Sequence, residues 1–290
     1  MIYLDNAATT RLCAEAREAF LRYAIDDFGN PSSAHRAGIA AERGLKAARE
    51  TLGRALGCEP ASIVLTSGGT EADALAVIGG ARAGRGRHVV ASALEHPAVL
   101  GAITLLSAEG FRTTLVPVSP AGVVDPEAVA AACEPEGTAL VSVMHVNNEI
   151  GTVQPVEEIA RAVRARSPRA LIHVDAVQSL GKLPLRVGAL GADLVSVSAH
   201  KLHGPKGVGA LYVRRGVRLR PLWGGGGQEG GIRPGTENVA GAAAFAAAAE
   251  VAVRELPEAG PRMARLRDRL VGRVLERVPR ARLVGDAVRR

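Results

Sequence analysis

Cysteine, lysine and aromatic residues are all scarce in this 290-residue chain. The three cysteines, Cys13, Cys58 and Cys133, share no metal-ligand spacing and are too few for a disulfide framework. A soluble, cytoplasmic protein of a reducing compartment is therefore expected. Aromatic residues make up only 3% of the chain, so the core is expected to be built from Ala, Val, Leu and Ile. The same scarcity removes the platforms on which nucleic-acid bases stack. Net charge is +7, but the arginines are scattered through helical segments rather than massed, so nucleic acid is not the expected partner. No apolar run approaches membrane-spanning length. Residues 1–10 lack the basic and apolar regions of a secretory signal, and no membrane association is expected.

What is present is an alternation. Short apolar runs bounded by Gly or Pro predict strands at Ser62–Leu65, His88–Ala91, Thr113–Val118, Leu140–His145, Leu171–Val174, Leu194–Val197 and Ala210–Val213. Helical patterns fall between them, at about Cys13–Ala24, His35–Leu56, Pro97–Ala108, Pro126–Cys133 and Val156–Arg166. Such alternation implies an α/β fold with a mostly parallel sheet flanked by helices. The serines of Gly29-Asn-Pro-Ser-Ser-Ala34 stand where they could cap the helix that follows. Beyond a glycine-rich loop at Gly224–Gly231, an Ala-rich helix is expected from Val239 and a separate charged one from Pro261.

Polar clusters fall at the strand ends, where open α/β sheets bind ligands. Only four of the 36 basic residues are lysines, and one of them, Lys201, emerges from a buried strand. Burial lowers an amine's pKa, and a neutral amine can attack a carbonyl to form a Schiff base. An ordinary loop charge is the competing account. Ser67-Gly-Gly-Thr70 brings backbone N–H groups and a hydroxyl to a helix start, suited to an anion or simply to a tight turn. His96 before Pro97 suits either a flat ligand or a helix cap. His145-Val-Asn-Asn-Glu-Ile-Gly151 suits a polar ligand or a turn. Asp175 ends a buried strand and could hold a protonated heteroaromatic nitrogen, or cap the next turn. His200 and His203 lack further ligands at metal spacing, so no metal is expected.

Together these stretches resemble the cysteine desulfurases, pyridoxal-phosphate enzymes of the class V aminotransferase group. The resemblance is carried by Tyr3-Leu-Asp-Asn-Ala-Ala-Thr-Thr10, Gly29-Asn-Pro-Ser-Ser33, Thr66-Ser-Gly-Gly-Thr-Glu71, Glu95-His96, Asn147-Asn-Glu-Ile-Gly151, His173-Val-Asp-Ala176 with Gln178, Ser198-Ala-His-Lys201, Gly225–Gln228 and Arg233-Pro-Gly-Thr236. It implies a fold-type-I enzyme that binds pyridoxal 5'-phosphate. Lys201 would carry the cofactor and move the substrate Cα proton, and His96 would stack on the ring and assist proton transfer. Asp175 would pair with the ring nitrogen. Gln178 and Asn148 would bond the phenolic oxygen, and Gly69, Thr70, Ser198 and His200 would hold the phosphate. Thr236 would reach the phosphate of a partner subunit, implying a homodimer. The substrate would be L-cysteine, converted to L-alanine. Its sulfur would pass as a persulfide to an acceptor protein of iron–sulfur cluster assembly or tRNA thiolation.

The same resemblance marks departures. The family's persulfide cysteine and its carboxylate-gripping arginine lie beyond Arg290, and Gly230 stands where many relatives carry arginine. Cys13, Cys58 and Cys133 match no functional position. The expected domains are an N-terminal segment (1–15), a large cofactor domain (16–250) and the start of a small domain (251–290) that leaves apolar surface exposed. Cofactor binding with little turnover is expected of the chain as written. The alternatives are a related lyase or selenocysteine-type enzyme, and a catalytically inactive interaction subunit.

Overall fold

Seven short runs, rich in Val, Leu, Ile and Ala, assemble into one sheet in the computed structural model, which describes residues 2–290. They are β1 (Ile63–Thr66), β2 (His88–Ser92), β3 (Arg112–Val116), β4 (Thr138–Ser142), β5 (Leu171–Asp175), β6 (Leu194–Ser198) and β7 (Gly209–Val213). Their order is β1-β7-β6-β5-β4-β2-β3. From β3 to β6 every pairing is parallel. β7 runs antiparallel between β6 and β1. The Ala199–Val208 connection explains that exception, because a parallel neighbour would need a longer crossover, usually with a helix. The α/β, mostly parallel expectation holds. Every strand except β3 is almost entirely buried, since helices cover both faces.

The helices are α1 (Ala14–Leu21), α2 (Arg36–Leu56), α3 (Gly69–Ala74), α4 (Gly80–Ala83), α5 (Pro97–Ala108), α6 (Pro126–Ala132), α7 (Val156–Arg166) and α8 (Val239–Arg277). One core face packs Leu52 of α2, Val129 of α6, Ile159 of α7 and Phe245 of α8 under the sheet. The other packs Leu75, Val99, Ile103 and Leu106 against it, with α3 joined to α4 through a π-helical turn at Leu75–Gly79. Burial of side chains this size contributes about 1.5–3 kcal/mol each. Among the described residues, no helix is long and apolar enough to cross a membrane.

Two local expectations are corrected. The serines after Asn30 do not cap α2; His35 does, its Nδ1 accepting from the Gly38 N–H at 3.3 Å. A capping side chain must stand immediately before the first helical residue, and Arg36 is that residue. The Asn30 side chain instead organises the turn, accepting from the Ser32 N–H at 2.9 Å. Nor does a second helix start at Pro261: α8 continues through Pro257 and Pro261 for 39 residues. The prolines are one turn apart, so the two missing N–H groups fall on one stripe of the helix, which continues past both. The second half of α8 leaves Leu266, Leu270 and Val274 exposed in a single row.

Candidate active site

Because β1, β2, β4, β5 and β6 point the same way, their C-terminal ends share one edge of the sheet. The loops leaving them enclose a cavity of roughly 270 Å³. Gly69 and Thr70 enter from the start of α3, and His96 from the start of α5. Asn148 comes from the loop after β4, Asp175 and Gln178 from the end of β5, and His200 and Lys201 from the turn after β6. Eight of the ten residues singled out in the sequence thus line one space. Ser198 lies behind it, 1% exposed, its Oγ buried without a hydrogen-bond partner. Thr236 is exposed and outside the cavity.

Glycine is favoured where the chain packs closely against a neighbour. A Cβ on Gly69 would stand 2.8 Å from Cγ2 of Val177, and one on Gly209 would stand 2.7 Å from the Gly68 carbonyl carbon. The turn before α3 is braced by Glu71, which accepts from the Ser67 N–H at 2.6 Å and from Arg233 Nε at 2.7 Å. Burial would raise the Glu71 pKa, but the bonds from Arg233 and Ser67 hold it below the ordinary value.

Lys201 is half-buried, and burial lowers its pKa while the charges of Asp175 and Asp5 oppose that shift. Its Nζ donates to the carbonyls of Ala7 (2.7 Å) and Ala8 (2.9 Å). Ala7 also accepts from Gln178 Nε2 at 2.9 Å. The N-terminal stretch therefore lies across the lysine, pinned where Thr10 N–H and Oγ1 donate to the His200 carbonyl. Lys182 donates to Gln178 Oε1 at 2.6 Å, which leaves the amide's N–H groups for the other side.

His96 serves as both of the things the sequence allowed. Its Nδ1 caps α5, accepting from the Ala98 N–H at 3.1 Å, while the ring lines the cavity. A neutral ring with Nδ1 as acceptor carries its proton on Nε2. Burial and the Lys201 charge both lower its pKa. Asp175 is 4% exposed; burial pushes it up to about 7, although the Val177 N–H donates to Oδ1 at 2.9 Å.

Two groups escaped the reading from residues alone. Asp73, in α3, is 1% exposed and lines the cavity. Glu95, beside His96, is buried and accepts from Ser92 Oγ (2.6 Å), Met144 N–H (2.7 Å) and Ser142 Oγ (3.2 Å). A lone Asp within the apolar run Ala72–Ile78 was the available signal for the first. A larger cavity of roughly 780 Å³ lies between the Leu180–Arg186 loop and α8. Its walls are mostly apolar and lack a convergence of acid, base and amine, so the smaller cavity is the candidate site.

An aminotransferase class-V family model matches residues 2–289. A cysteine desulfurase IscS from Dictyoglomus turgidum is 43% identical, over 96% of this chain and 70% of its own length. A solved NifS-like protein superposes with a TM-score of 0.92 at 43% identity, covering 95% of this chain and 76% of that one. A structure of SspA in complex with cysteine gives a TM-score of 0.82 at 37% identity, covering 86% of this chain and 72% of that one. With the matched sequence words spread from residue 3 to residue 236, these likenesses show that the chain belongs to the aminotransferase class V family and, within it, to the cysteine desulfurases.

Proposed function

We propose that this chain binds pyridoxal phosphate in the cavity at the sheet edge and acts on L-cysteine, giving L-alanine and handing the sulfur to an acceptor thiol. The observation that carries this reading is the convergence of Lys201, Asp175 and His96 on one small cavity. The donor set fits the cofactor: a half-buried amine, a buried carboxylate, a flat imidazole and a glycine cradle with an unpartnered buried Ser198 hydroxyl behind it. When bound, pyridoxal phosphate supplies an electron sink for the pair left by a breaking bond at the substrate Cα.

The residues of the chain divide the remaining work. Asp175, ionised, would hold the proton on the ring nitrogen. Lys201 Nζ, its pKa lowered by burial, would attach the cofactor and take the proton from the substrate Cα. His96 would stack on the ring and present Nε2–H toward the reacting groups. Gln178, its oxygen held by Lys182 and one N–H by the Ala7 carbonyl, would offer its other N–H to the phenolic oxygen, with Asn148 beside it. Gly69, Thr70, Ser198 and His200 would hold the phosphate, and Thr236 would reach the site of a second copy in a homodimer. Residues 16–250 would form the cofactor unit, with 1–15 and 251–290 belonging to a smaller one; α8 crosses that boundary unbroken.

In the overall reaction the Cβ–S bond of cysteine breaks and an S–S bond forms on the acceptor, so a thiol becomes a persulfide and alanine is released. None of the three cysteines lines the cavity. Burial pushes Cys58 and Cys133 up to about 11, which makes them poor nucleophiles. The acceptor thiol would belong to iron–sulfur assembly or tRNA thiolation machinery. The test is alanine release from L-cysteine by the chain loaded with pyridoxal phosphate, with and without added dithiothreitol. Alanine and sulfide that depend on the added thiol support the reading. Pyruvate in place of alanine would point to a lyase, and no bound cofactor would leave a non-catalytic binding role.

A further inference from the structure

Asp73 takes no part in the chemistry above, yet it is a buried carboxyl at the cavity whose Oδ1 has no hydrogen-bond partner. Its neighbours across the sheet are His173 Nε2, 3.5 Å from Oδ1, and the Ser196 hydroxyl. The directions of the surrounding hydrogen bonds decide what it faces. Ser142 Oγ donates to Glu95 Oε2. Where Glu95 is ionised, the form that its bonds from Ser92 Oγ and the Met144 N–H favour, Ser142 gives it its one proton and can only accept from His173 Nδ1, 2.9 Å away. The proton of the neutral imidazole is then on Nδ1, and Nε2 is a bare acceptor directed at Ser196 Oγ (2.9 Å) and Asp73. An ionised carboxylate opposite a bare nitrogen would leave two acceptors and one hydroxyl proton among three groups. A carboxylic acid supplies the missing proton.

We propose that Asp73 is held as the neutral acid, its proton directed at His173 and Ser196, so that Asp175 is the one carboxyl of the cavity that ionises. The two are not equivalent. Asp175 receives a backbone N–H from Val177 and is favoured by the Lys201 charge, whereas Asp73 receives neither. Burial pushes both up to about 7, and each charge would disfavour the other. The remaining titratable groups facing this pair are His173 from β5 and Glu95 from the turn after β2. α5 and β1 contribute none, and Tyr212 of β7 neighbours Cys58 and Asp193 instead. A site built this way offers a pyridinium a single negative charge, with Asp73 as a positioning residue that fixes His173 and keeps a second charge away.

The consequence for cofactor binding rests on the pyridoxal phosphate reading; the proton on Asp73 does not. In the full chain, ¹⁵N NMR of His173 should show Nδ1 protonated and Nε2 bare, and a proton on Nε2 overturns the proposal. Asp73→Asn replaces the neutral acid by its near-isostere. Because an acid kept protonated only in the folded state costs stability increasingly from about pH 4 to about pH 7, the variant's Tm should gain on the wild type across that window and run parallel to it above. It should also bind pyridoxal phosphate within about threefold of the wild type, whereas Asp175→Asn should lose about tenfold or more. An unchanged Tm offset, a relative loss at high pH, or a tenfold affinity loss in Asp73→Asn alone would each overturn it. If the wild type itself bound no pyridoxal phosphate, the cofactor reading would fail, and NMR and Tm would still decide the proton.

Discussion

Lys201 Nζ lies 2.7 Å from the carbonyl oxygen of Ala7, a residue 194 positions earlier in the chain. The amine proposed to carry the cofactor is thus the group that ties the N-terminal stretch across the cavity. Loading the cofactor must exchange these carbonyls for a covalent partner. The chain incubated with pyridoxal phosphate should acquire a visible absorbance band, and borohydride should fix the cofactor mass on the peptide containing Lys201. Lys201→Ala should show neither. A labelled Lys182 or Lys206 peptide instead would sink the assignment.

His96 carries a structural and a chemical role on different ring nitrogens, so the two are separable. His96→Ala removes the cap of α5 and should cost about 1 kcal/mol in stability along with most of the turnover. Asn is a good capping residue, so His96→Asn should keep the stability and still lose turnover. Denaturation midpoints and alanine release from the same preparations check this, and an Asn variant with full turnover would show that the ring is only a cap.

Glu71 joins Arg233 to the turn that precedes α3. Glu71→Ala frees both the Ser67 N–H and the Arg233 guanidinium and should loosen the proposed phosphate cradle. Pyridoxal phosphate affinity should fall by about tenfold, with less effect on pyridoxal, which lacks the phosphate. Equal losses for the two ligands in equilibrium dialysis would place the effect elsewhere.

His145 is buried, and burial brings its pKa down from 6.5 to about 4. The folded state therefore favours the neutral ring. Its contribution is fully present above the unfolded pKa of about 6.5 and is lost as pH falls toward about 4, on the order of 3 kcal/mol in all. His173 is shifted in the same way, so His145→Gln should lessen the slope of that acid limb rather than abolish it, whatever it does to stability at neutral pH. Urea midpoints between about pH 4 and 7 measure the slope, and an unchanged slope would exclude His145 as the titrating group.

The sheet was legible because buried strands show as apolar runs at β1, β2, β4, β5, β6 and β7, and because Pro97, Pro126 and the Val156 pattern mark helix starts. Lys201, His96 and Asp175 could be picked out because each chemical group stands just beyond such a run. Asp73 showed only as a lone acid in the apolar run Ala72–Ile78, and its surroundings are defined by His173 and Ser196, which are distant in sequence. The cap of α2 by His35 was obscured by better-known capping residues nearby. The continuity of α8 through Pro257 and Pro261 was not legible, because a proline in a helical pattern ordinarily marks an end.

The antiparallel insertion of β7 decides how still the proposed reactive amine is held. Lys201 belongs to a connection whose two ends are interior strands, and that connection is closed on itself by the Ala199 N–H to Val208 and the Leu202 and Gly204 N–H groups to Ala199. Releasing it means opening the middle of the sheet, so these amides should exchange with solvent only as fast as the whole domain unfolds. The exposed stretch at Ala7 and Ala8 is held by bonds from Lys201 and Gln178 and should exchange faster, by local opening. Access to the amine is therefore governed by the strap that covers it, on a timescale independent of the anchor that holds it.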